Sequence, residues 1–484
     1  MNKTLRTIFG VYVFAYAVFF SAMPLNDGDF WWHLKTGEYI LQTHSIPKTD
    51  FFSFTNYGRP WVAHEWLSEA FFYAIYSRLG LNTLIIIFAI FTAAAFWLAF
   101  KRSDSHPLIG GFATLLGVWS ILPTIGVRPR VFTLLLGSVY LALLSRHVQR
   151  NGRALWWLVP LMALWVNLHG GFLLGIVLIG LTIVGIFLDA WTNGESLKSA
   201  WPRTKTLQWV LAGSLLAACL NPHGIWIYKF PFEIFLSPMQ QQLVIDWLSP
   251  NFHRPEALPL LVLICLTIGA LGLSPTRARP SELLLLLSTL YMTLKSQRHM
   301  AILALVAVPL MANYLQNWIT AQSNGKMFNP VSSTNSKFVP KTGVYSLIFL
   351  LPLIVFAFRL RSTVLSTPSQ LSIDAPVNAV EYLQRNNVIG KTFTDPNIWG
   401  GYLIWKMPSN PVYIDGRIDM YGDEFVKEYL NIVLGHSDWR EPFDRYGVQI
   451  VIAAPNSVMV RGMKTASDWQ EVYIDEMAVV FTKR

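Results

Sequence analysis

Charge is scarce in this chain. Acidic and basic residues make up only 14% of its 484 positions, where a soluble globular protein carries roughly a quarter. With 53% hydrophobic residues and a mean hydropathy of +0.39, that shortage excludes an ordinary soluble enzyme. Cysteine is nearly absent: Cys219 and Cys265 both sit in apolar runs, so no disulfide framework or Cys-based metal site is available. There is no glycine period, no segment of low hydrophobicity and no clustered basic run, which removes fibrous, disordered and nucleic-acid-tail readings. Neither a P-loop nor a GxGxxG opening a helix after a strand is present, so nucleotide binding has no signature.

What the chain has instead is long apolar runs and a net charge of +10. A membrane crossing needs roughly 20 mostly apolar residues. Runs at about 5–24, 81–100, 107–126, 131–146, 154–168, 171–190, 207–220, 258–274, 281–296, 299–318 and 343–360 predict about eleven spans. The first run is not a signal peptide, because no soluble mature sequence follows it. From about Ser362 charged residues become frequent and apolar runs shrink to strand length. The expected fold is an α-helical polytopic membrane bundle over 1–361, including an outer loop at 25–80, followed by a soluble α/β domain over 362–484.

Lys and Arg in the loops set the orientation. With a cytoplasmic N-terminus, the inner segments hold fifteen basic residues, from Lys3 and Arg6 to Lys337 and Lys341, against four acidic ones. The positive-inside rule favours that frame and puts the C-terminal domain outside the plasma (inner) membrane. The segment 320–342 then joins the last two spans in the cytoplasm. The +10 balance is therefore a topology signal, and no nucleic-acid partner is expected. The frame also makes Trp66–Leu79, with Glu69 and Arg78, an interfacial helix and not a span.

In this frame the conspicuous polar groups gather on one side. The first outer loop presents Asp27, Asp29, His33, His64 and Glu65 among Trp31, Trp32, Trp61 and Trp66. Later outer ends read GVRPR with Arg128 and Arg130, NLHGG with His169, NPHG with His223, and KSQRH with Arg298 and His299. Each piece also has a purely structural explanation. Two acids in a hydrophilic loop are ordinarily solvated, the Trp residues suit an interfacial belt, Arg298 suits a snorkelling anchor, and His169 and His223 suit helix-end hydrogen bonds. Their recurrence on one side of one bundle argues for chemistry, since ionisable groups near the hydrocarbon boundary usually face a cavity or a partner.

A carboxylate at the outer surface can act as general base on a hydroxyl or hold a divalent cation. Arginine forks match a phosphate, and Trp faces suit lipid and sugar rings. Together these describe transfer of a sugar from a lipid-linked phosphate donor, with the Arg groups stabilising the leaving phosphate. The alternative from another class is a non-enzymatic transporter or flippase of a lipid-linked glycan, which calls for repeats and mid-span charges; no repeat is visible and the charges sit at helix ends. An envelope scaffold protein is a third possibility.

The motifs DGDFWWHLKTGEYI at 27–40, HEWLSE, VRPRVFT, NLHGGF, QRHM and YIDGRIDMYG, on a bundle that ends in an outer domain, resemble the polytopic GT-C glycosyltransferases, and more closely a bacterial branch of them. That superfamily includes protein O-mannosyltransferases, lipid A aminoarabinose transferases and oligosaccharyltransferase catalytic subunits. The resemblance implies that Asp29, with Asp27 before it, is the catalytic acid of the first outer loop. It implies that Arg128 and Arg298, with Arg130 and His299 as neighbours, contact the donor phosphate. His33, His64, Glu65, Trp32 and His169 are substrate- or acceptor-side candidates. Asp27, Asp29 and His33 are possible ligands of a divalent cation, Mg or Mn. The expected partners are a polyprenyl-phosphate-linked sugar donor, a glycan, lipid or protein acceptor, and membrane lipid. The sequence has DGD in place of the adjacent acids of the mannosyltransferases, and it lacks the WWDYG motif of the oligosaccharyltransferases, which argues against an Asn-sequon acceptor.

For the outer domain, the pattern predicts helices at Ala375–Asn387 and Asp423–Leu434. Strands are expected at Lys391–Thr394, Pro411–Asp415 and Gln449–Ala453, and a hairpin at Trp469–Thr482. Asp415 and Arg417 fall at a strand end as candidate ligand contacts.

Overall fold

The computed structural model describes residues 3–25, 27–150, 153–323 and 375–484. The span expected at 343–360, all but the start of the loop expected at 320–342, and the boundary expected at 361 lie outside the described residues. The other ten expected spans are all helical. The helices up to residue 323 are α1 (Lys3–Ser21), α2 (Phe30–Thr43), α3 (Trp66–Arg102), α4 (Pro107–Ile121), α5 (Arg130–Arg150), α6 (Leu158–Leu168), α7 (Leu173–Thr192), α8 (Leu197–Ala217), α9 (Lys229–Leu236), α10 (Pro238–Leu243), α11 (Leu258–Leu273), α12 (Pro280–Lys295) and α13 (Met300–Gln322). Among the described residues, six helical segments are long and apolar enough to cross a membrane, and Phe9–Ser21 and Ala154–Leu168 are shorter apolar helices. The remaining two are less apolar or shorter: α8 opens on the polar stretch LKSAWPRTK, and α12 has 16 residues.

The break expected between the surface helix and the second span is present inside α3. Gly80 takes φ 78°, ψ 174°, a backbone conformation that strains any residue carrying a Cβ. The helix is thereby divided at the point where the sequence passes from WLSEAFFYAIYSRL to an apolar run.

The chain divides into two compact units. One comprises Met1–Met23, Ile85–Gly224 and Ile245–Val364; the other comprises Pro24–Leu84, Ile225–Val244 and Leu365–Arg484. The loop at 25–80, expected to belong with the bundle, thus groups with the C-terminal sequence. The physical reason is visible in its bonding. Phe54 N–H donates to the Val412 carbonyl (3.1 Å), Val412 N–H donates to the Phe52 carbonyl (3.3 Å), and the Thr55 hydroxyl donates to the Tyr413 carbonyl (2.6 Å).

In the first unit α13 is the central element. It packs on α4, α11 and α12, and its residues from Ile302 to Ala312 are buried without interruption. A helix apolar on every face belongs in the middle of a bundle. Some buried hydroxyls are satisfied locally or on a neighbour: Thr114 donates to the Gly110 carbonyl (2.7 Å), and Ser138 to the Ala95 carbonyl (2.6 Å).

The second unit holds a four-stranded sheet of β1 (Thr392–Asp395), β2 (Ile450–Ala453), β3 (Trp469–Ile474) and β4 (Val479–Lys483), in the order β1-β2-β4-β3. β1 and β2 are parallel, and β4 runs antiparallel to both β2 and β3. Every residue of β2 is buried, as expected of a central strand covered on both faces. Helices Val377–Arg385 and Asp423–Val433, β1, β2 and the β3–β4 hairpin fall where the sequence pattern puts them. Pro411–Asp415 does not form a strand. Only Val412 makes single parallel bridges, to Thr392 and to Ser53, because Pro411 has no N–H to give and the chain turns into a buried polar cluster at Asp415.

Phe393 anchors the core of this unit. It is fully buried, and its ring lies 5.0 Å from Tyr413, 5.4 Å from Tyr429 and 4.9 Å from Phe443. Phe393→Ala is expected to destabilise the unit by about 3–5 kcal/mol, read as earlier proteolysis of the C-terminal region in detergent-solubilised protein.

Candidate functional site

Two polar clusters emerge, one in each unit. In the second unit Asp29 precedes the first turn of α2, yet its carboxylate does not cap that helix. Asp29 Oδ1 instead accepts from Trp32 Nε1 (3.1 Å), and Asp29 N–H donates to Asp27 Oδ1 (3.2 Å). The DxD spacing makes this turn: the first acid receives the backbone of the second, whose own carboxylate is aimed elsewhere. The C-terminal segment confines it. A Cβ placed on Gly416 would lie 1.7 Å from Asp29 Oδ1, so a side chain there would have to push the Asp29 carboxylate aside.

Next to Gly416 lies a buried ionic knot. Arg417 is 1% exposed and Asp415 fully buried. Arg417 Nε donates to Asp415 Oδ1 (2.9 Å) and Nη2 donates to Asp415 Oδ2 (2.6 Å), while Nη2 also meets Asp50 Oδ1 at 2.9 Å. Asp415 further accepts the Tyr421 hydroxyl (2.8 Å), and Asp50 accepts the N–H groups of Phe52 and Ser53 (both 3.1 Å). The guanidinium carbon lies 4.6 Å from the Trp61 ring, 4.9 Å from Phe52 and 5.9 Å from Trp32, within cation–π range. Asp415 and Arg417 are therefore paired internally. Burial opposes the Arg417 charge, but the Asp415 and Asp50 carboxylates outweigh that penalty and raise its pKa.

On the other face of Trp32, whose ring lies 3.6 Å from that of His33, a chain of titratable groups begins. His33 Nδ1 meets Glu69 Oε1 at 3.1 Å and Nε2 lies 3.6 Å from Glu65 Oε2. Glu65 Oε1 is in turn 3.4 Å from His64 Nε2, and His64 Nδ1 donates to the Val62 carbonyl (3.2 Å). Burial works against a charged imidazole at His33. The hydrogen bond to Glu69 and the Glu65, Glu69 and Asp29 charges outweigh it and hold the pKa above the usual 6.5.

The three donors expected for a cation do not assemble as a ligand set: Asp27 receives the Asp29 backbone, Asp29 receives Trp32, and His33 is committed to Glu69. Among the described residues no group of three or more His, Cys, Asp or Glu side chains has metal-holding geometry.

In the first unit Arg128 and Arg130 converge on Asp246, a residue the sequence reading passed over. Arg130 Nη2 donates to Asp246 Oδ2, and Arg128 Nη1 lies 3.7 Å from the same oxygen. Burial alone would raise the Asp246 pKa, but Arg130, Arg128 and Arg298 draw it down to about 2. Arg298 stacks on Trp247 at 4.0 Å. His299 follows it in sequence, and its backbone carbonyl accepts the Thr293 hydroxyl (3.0 Å). Three hydrogen bonds fix the segment bearing Asp246: Ser296 Oγ to the Asp246 carbonyl (2.8 Å), Gln297 N to Leu248 O (2.8 Å) and Gln297 Nε2 to Ile245 O (2.6 Å).

His169 is also part of the first unit. Its Nδ1 accepts the Gly171 N–H (2.9 Å) and lies 2.8 Å from the Thr133 hydroxyl, which itself accepts from Trp165 Nε1 (2.8 Å). With Nδ1 the acceptor, the proton of the neutral ring sits on Nε2. His169 thus presents a hydrogen-bond donor from a position one turn along α5 from Arg130, since Thr133 and Arg130 share a face at i, i+3 spacing.

Asp50, Glu69, Asp246, Gly416 and Tyr421 were not picked out by sequence. A signal existed for Asp50, whose TDFFS context is that of an Asx turn. Asp246 and Gly416 had none, as their partners are distant in the chain.

No protein-family model matches the chain, and no curated protein matches it in sequence. Solved structures do match in fold. The oligosaccharyltransferase AglB of Archaeoglobus fulgidus, in complex with an inhibitory peptide and a dolichol-phosphate, superposes with TM-score 0.55 at 12% identity over 92% of this chain and 69% of that one. ArnT of Cupriavidus metallidurans, bound to undecaprenyl phosphate, gives 0.51 at 12% over 99% and 97%. The mycobacterial arabinofuranosyltransferase AftD gives 0.52 at 12% over 100% and 42%. All three are GT-C glycosyltransferases. The six apolar helices and this fold mark an integral membrane protein.

Two outcomes follow from the site geometry. Gly416→Ala is expected to cost about 1–3 kcal/mol through overpacking against Asp29, read as a lower thermal midpoint in detergent; an unchanged midpoint would show that this backbone does not confine the carboxylate. The His33 contribution to stability should be fully present below pH 6.5, the unfolded value, and vanish as pH rises through the raised native pKa. His33→Gln should remove that part of the decline when thermal midpoints are compared from mildly acidic to mildly alkaline buffer.

Proposed function

Taking the GT-C fold as premise, we propose that this chain is a membrane glycosyltransferase that moves a sugar from a polyprenyl-phosphate-linked donor to an acceptor hydroxyl on the outer face of the plasma (inner) membrane. In this reading the N-terminus is cytoplasmic and the C-terminal domain extracytoplasmic. The observation that carries the proposal is the convergence of Arg128, Arg130 and Arg298 about a single carboxylate at Asp246. Three guanidinium groups gather in one region there, and a phosphate is the anion whose oxygens match their forks. AglB and ArnT were both solved with a polyprenyl-type phosphate bound.

The roles divide by chemistry. Asp29 takes the proton of the acceptor hydroxyl as its oxygen attacks the anomeric carbon. The bond from that carbon to the phosphate oxygen breaks, and the electron pair leaves with the lipid phosphate. Arg128, Arg130 and Arg298 stabilise the charge that develops there, and such fixed charges act most strongly where water is excluded. His169, neutral and donating through Nε2, adds a hydrogen bond without a proton transfer. Trp32 holds Asp29 in place through its Nε1–H. Asp27, Asp29 and His33 do not assemble as ligands, so no step runs through a cation. A glycan, a lipid or a protein hydroxyl would each serve as acceptor for this chemistry.

Transfer from defined polyprenyl-phosphate sugars by detergent-solubilised protein tests the proposal. Asp29→Asn is expected to lower the rate by about 10²–10⁴-fold, the contribution of a general base, with folding and lipid-phosphate binding retained. Full activity in that variant would remove Asp29 from the mechanism. Movement of a lipid-linked glycan across vesicles without transfer would support a flippase in its place.

A further inference from the structure

Residues 225–244 carry an apolar surface that neither polar cluster uses. They belong to the second unit, whereas the chain up to Gly224 and again from Ile245 belongs to the first. One side of the segment is built in. Ile227 and Phe230 are buried, and the Phe230 ring lies 4.2 Å from that of His64. The Ser237 hydroxyl donates to Asp423 Oδ1 (2.5 Å), and Met239 and Leu243 pack against the core around Phe393. The other side faces outward: Ile225 is 68% exposed, Trp226 74%, Phe232 58% and Leu236 74%. Single exposed apolar residues are ordinary, but four large ones within 225–236 make a patch of the kind that marks a contact with protein or membrane. On α9, Lys229, Phe232 and Leu236 share one face by their i, i+3 and i, i+4 spacing.

Two observations point to lipid as the cover. The first is the tether. α8 packs along α7, which belongs to a segment long and apolar enough to cross a membrane, and α8 ends at Ala217. From there to Ile225 the chain reaches no further than about 29 Å when fully extended. It is also drawn in by a turn, with the Gly224 N–H donating to the Asn221 carbonyl (3.1 Å) and Asn221 Nδ2 to the Gly224 carbonyl (3.4 Å). Leu216 and Leu220 on the way are 74% and 68% exposed, so outward-facing apolar side chains continue from the bundle helix into the segment. The second is composition. An indole, a phenyl ring and two aliphatic side chains suit the membrane boundary, where Trp is enriched, and the Lys229 stem can lie along apolar surface with its head in water. We propose that residues 225–236 form an interfacial anchor, with Ile225, Trp226, Phe232 and Leu236 seated between the lipid head groups and the acyl chains. Lys229 pairs with Glu233 (2.7 Å), so the apolar face and not head-group charge holds the segment there. Phe230 on its other side ties the His64 end of the acid–histidine chain to this anchor. The contact does not depend on the sugar-transfer reading.

The test places spin labels on the full-length chain in lipid nanodiscs, with the free cysteines Cys219 and Cys265 replaced by Ala. Phe232→Cys and Leu236→Cys carry the label in turn, and Asp438→Cys, an exposed position of the C-terminal domain, is the aqueous reference. The ratio of accessibility to oxygen over accessibility to a water-soluble nickel chelate is expected to be several-fold higher at 232 and 236 than at 438. It should be the same in discs of phosphatidylcholine alone and of phosphatidylcholine with phosphatidylglycerol. Labels at 232 and 236 as open to nickel as the one at 438 would overturn the anchor. Labels screened from both reagents would mean that protein covers the face, a second copy if the labels broaden one another, and would overturn it too. A high oxygen ratio only in the anionic discs would overturn the apolar-face account. The unmodified chain gives an independent reading. Phosphatidylcholine with a photoreactive group near the head-group end of its acyl chain is expected to cross-link within 225–236, and absence of adducts there would overturn the proposal.

Discussion

The Arg417 guanidinium is the constraint on which the unit carrying Asp29 depends. A charge that is 1% exposed costs several kcal/mol in lost hydration unless it is paired with good geometry. Here Asp415 supplies two hydrogen bonds from the same segment and Asp50 supplies a third contact from the first loop. Neither acid can leave without stranding the other charges, so the two stretches of chain are fixed against each other. The aromatic rings that cover the guanidinium include Trp32, and Trp32 holds the Asp29 carboxylate. The position of the candidate base thus follows from an ion pair it does not itself belong to.

The arginine cluster of the other unit is arranged differently. Around Arg417 two carboxylates answer one cation; around Asp246 three cations answer one carboxylate. The first arrangement is closed to solvent and suited to holding shape. The second is partly exposed, with Arg130 and Arg128 both addressing one oxygen of Asp246. Both clusters are built from Arg and Asp, so residue type alone does not separate architecture from ligand binding. The two clusters differ in exposure.

This is also where legibility in the sequence stops. Apolar runs revealed the helices because burial in a bundle or bilayer acts on each segment by itself, and ten of the expected spans appear as helices. The hairpin at Trp469–Lys483 and the helix at Asp423–Val433 were visible for the same local reason. The strand expected at Pro411–Asp415 was not realised, because a sheet needs a partner register and Pro411 together with the Asp415 turn leaves Val412 alone to bridge. At the sites, Asp29, Arg128, Arg130 and Arg298 stood out as charges at helix ends. Asp50, Asp246 and Gly416 did not, since each matters only through a residue far along the chain.

That long-range dependence bears on what the C-terminal segment does. Thr55 and Tyr413, joined by a hydrogen bond, are 358 positions apart, and the Asp50–Arg417 pair spans a similar loop. Closing so long a loop carries an entropic cost that grows only slowly with length, so buried ionic and aromatic contacts at its ends can offset it, but only together. The first loop cannot keep Asp50 buried without Arg417, and the C-terminal turn cannot keep Arg417 buried without Asp50. Residues 24–84 and the C-terminal sheet domain therefore gain their order jointly. A domain that from composition reads as an appendage is instead a structural half of the unit that presents Asp29, and variation in its YIDGRID turn acts on the candidate base through Gly416 and Trp32.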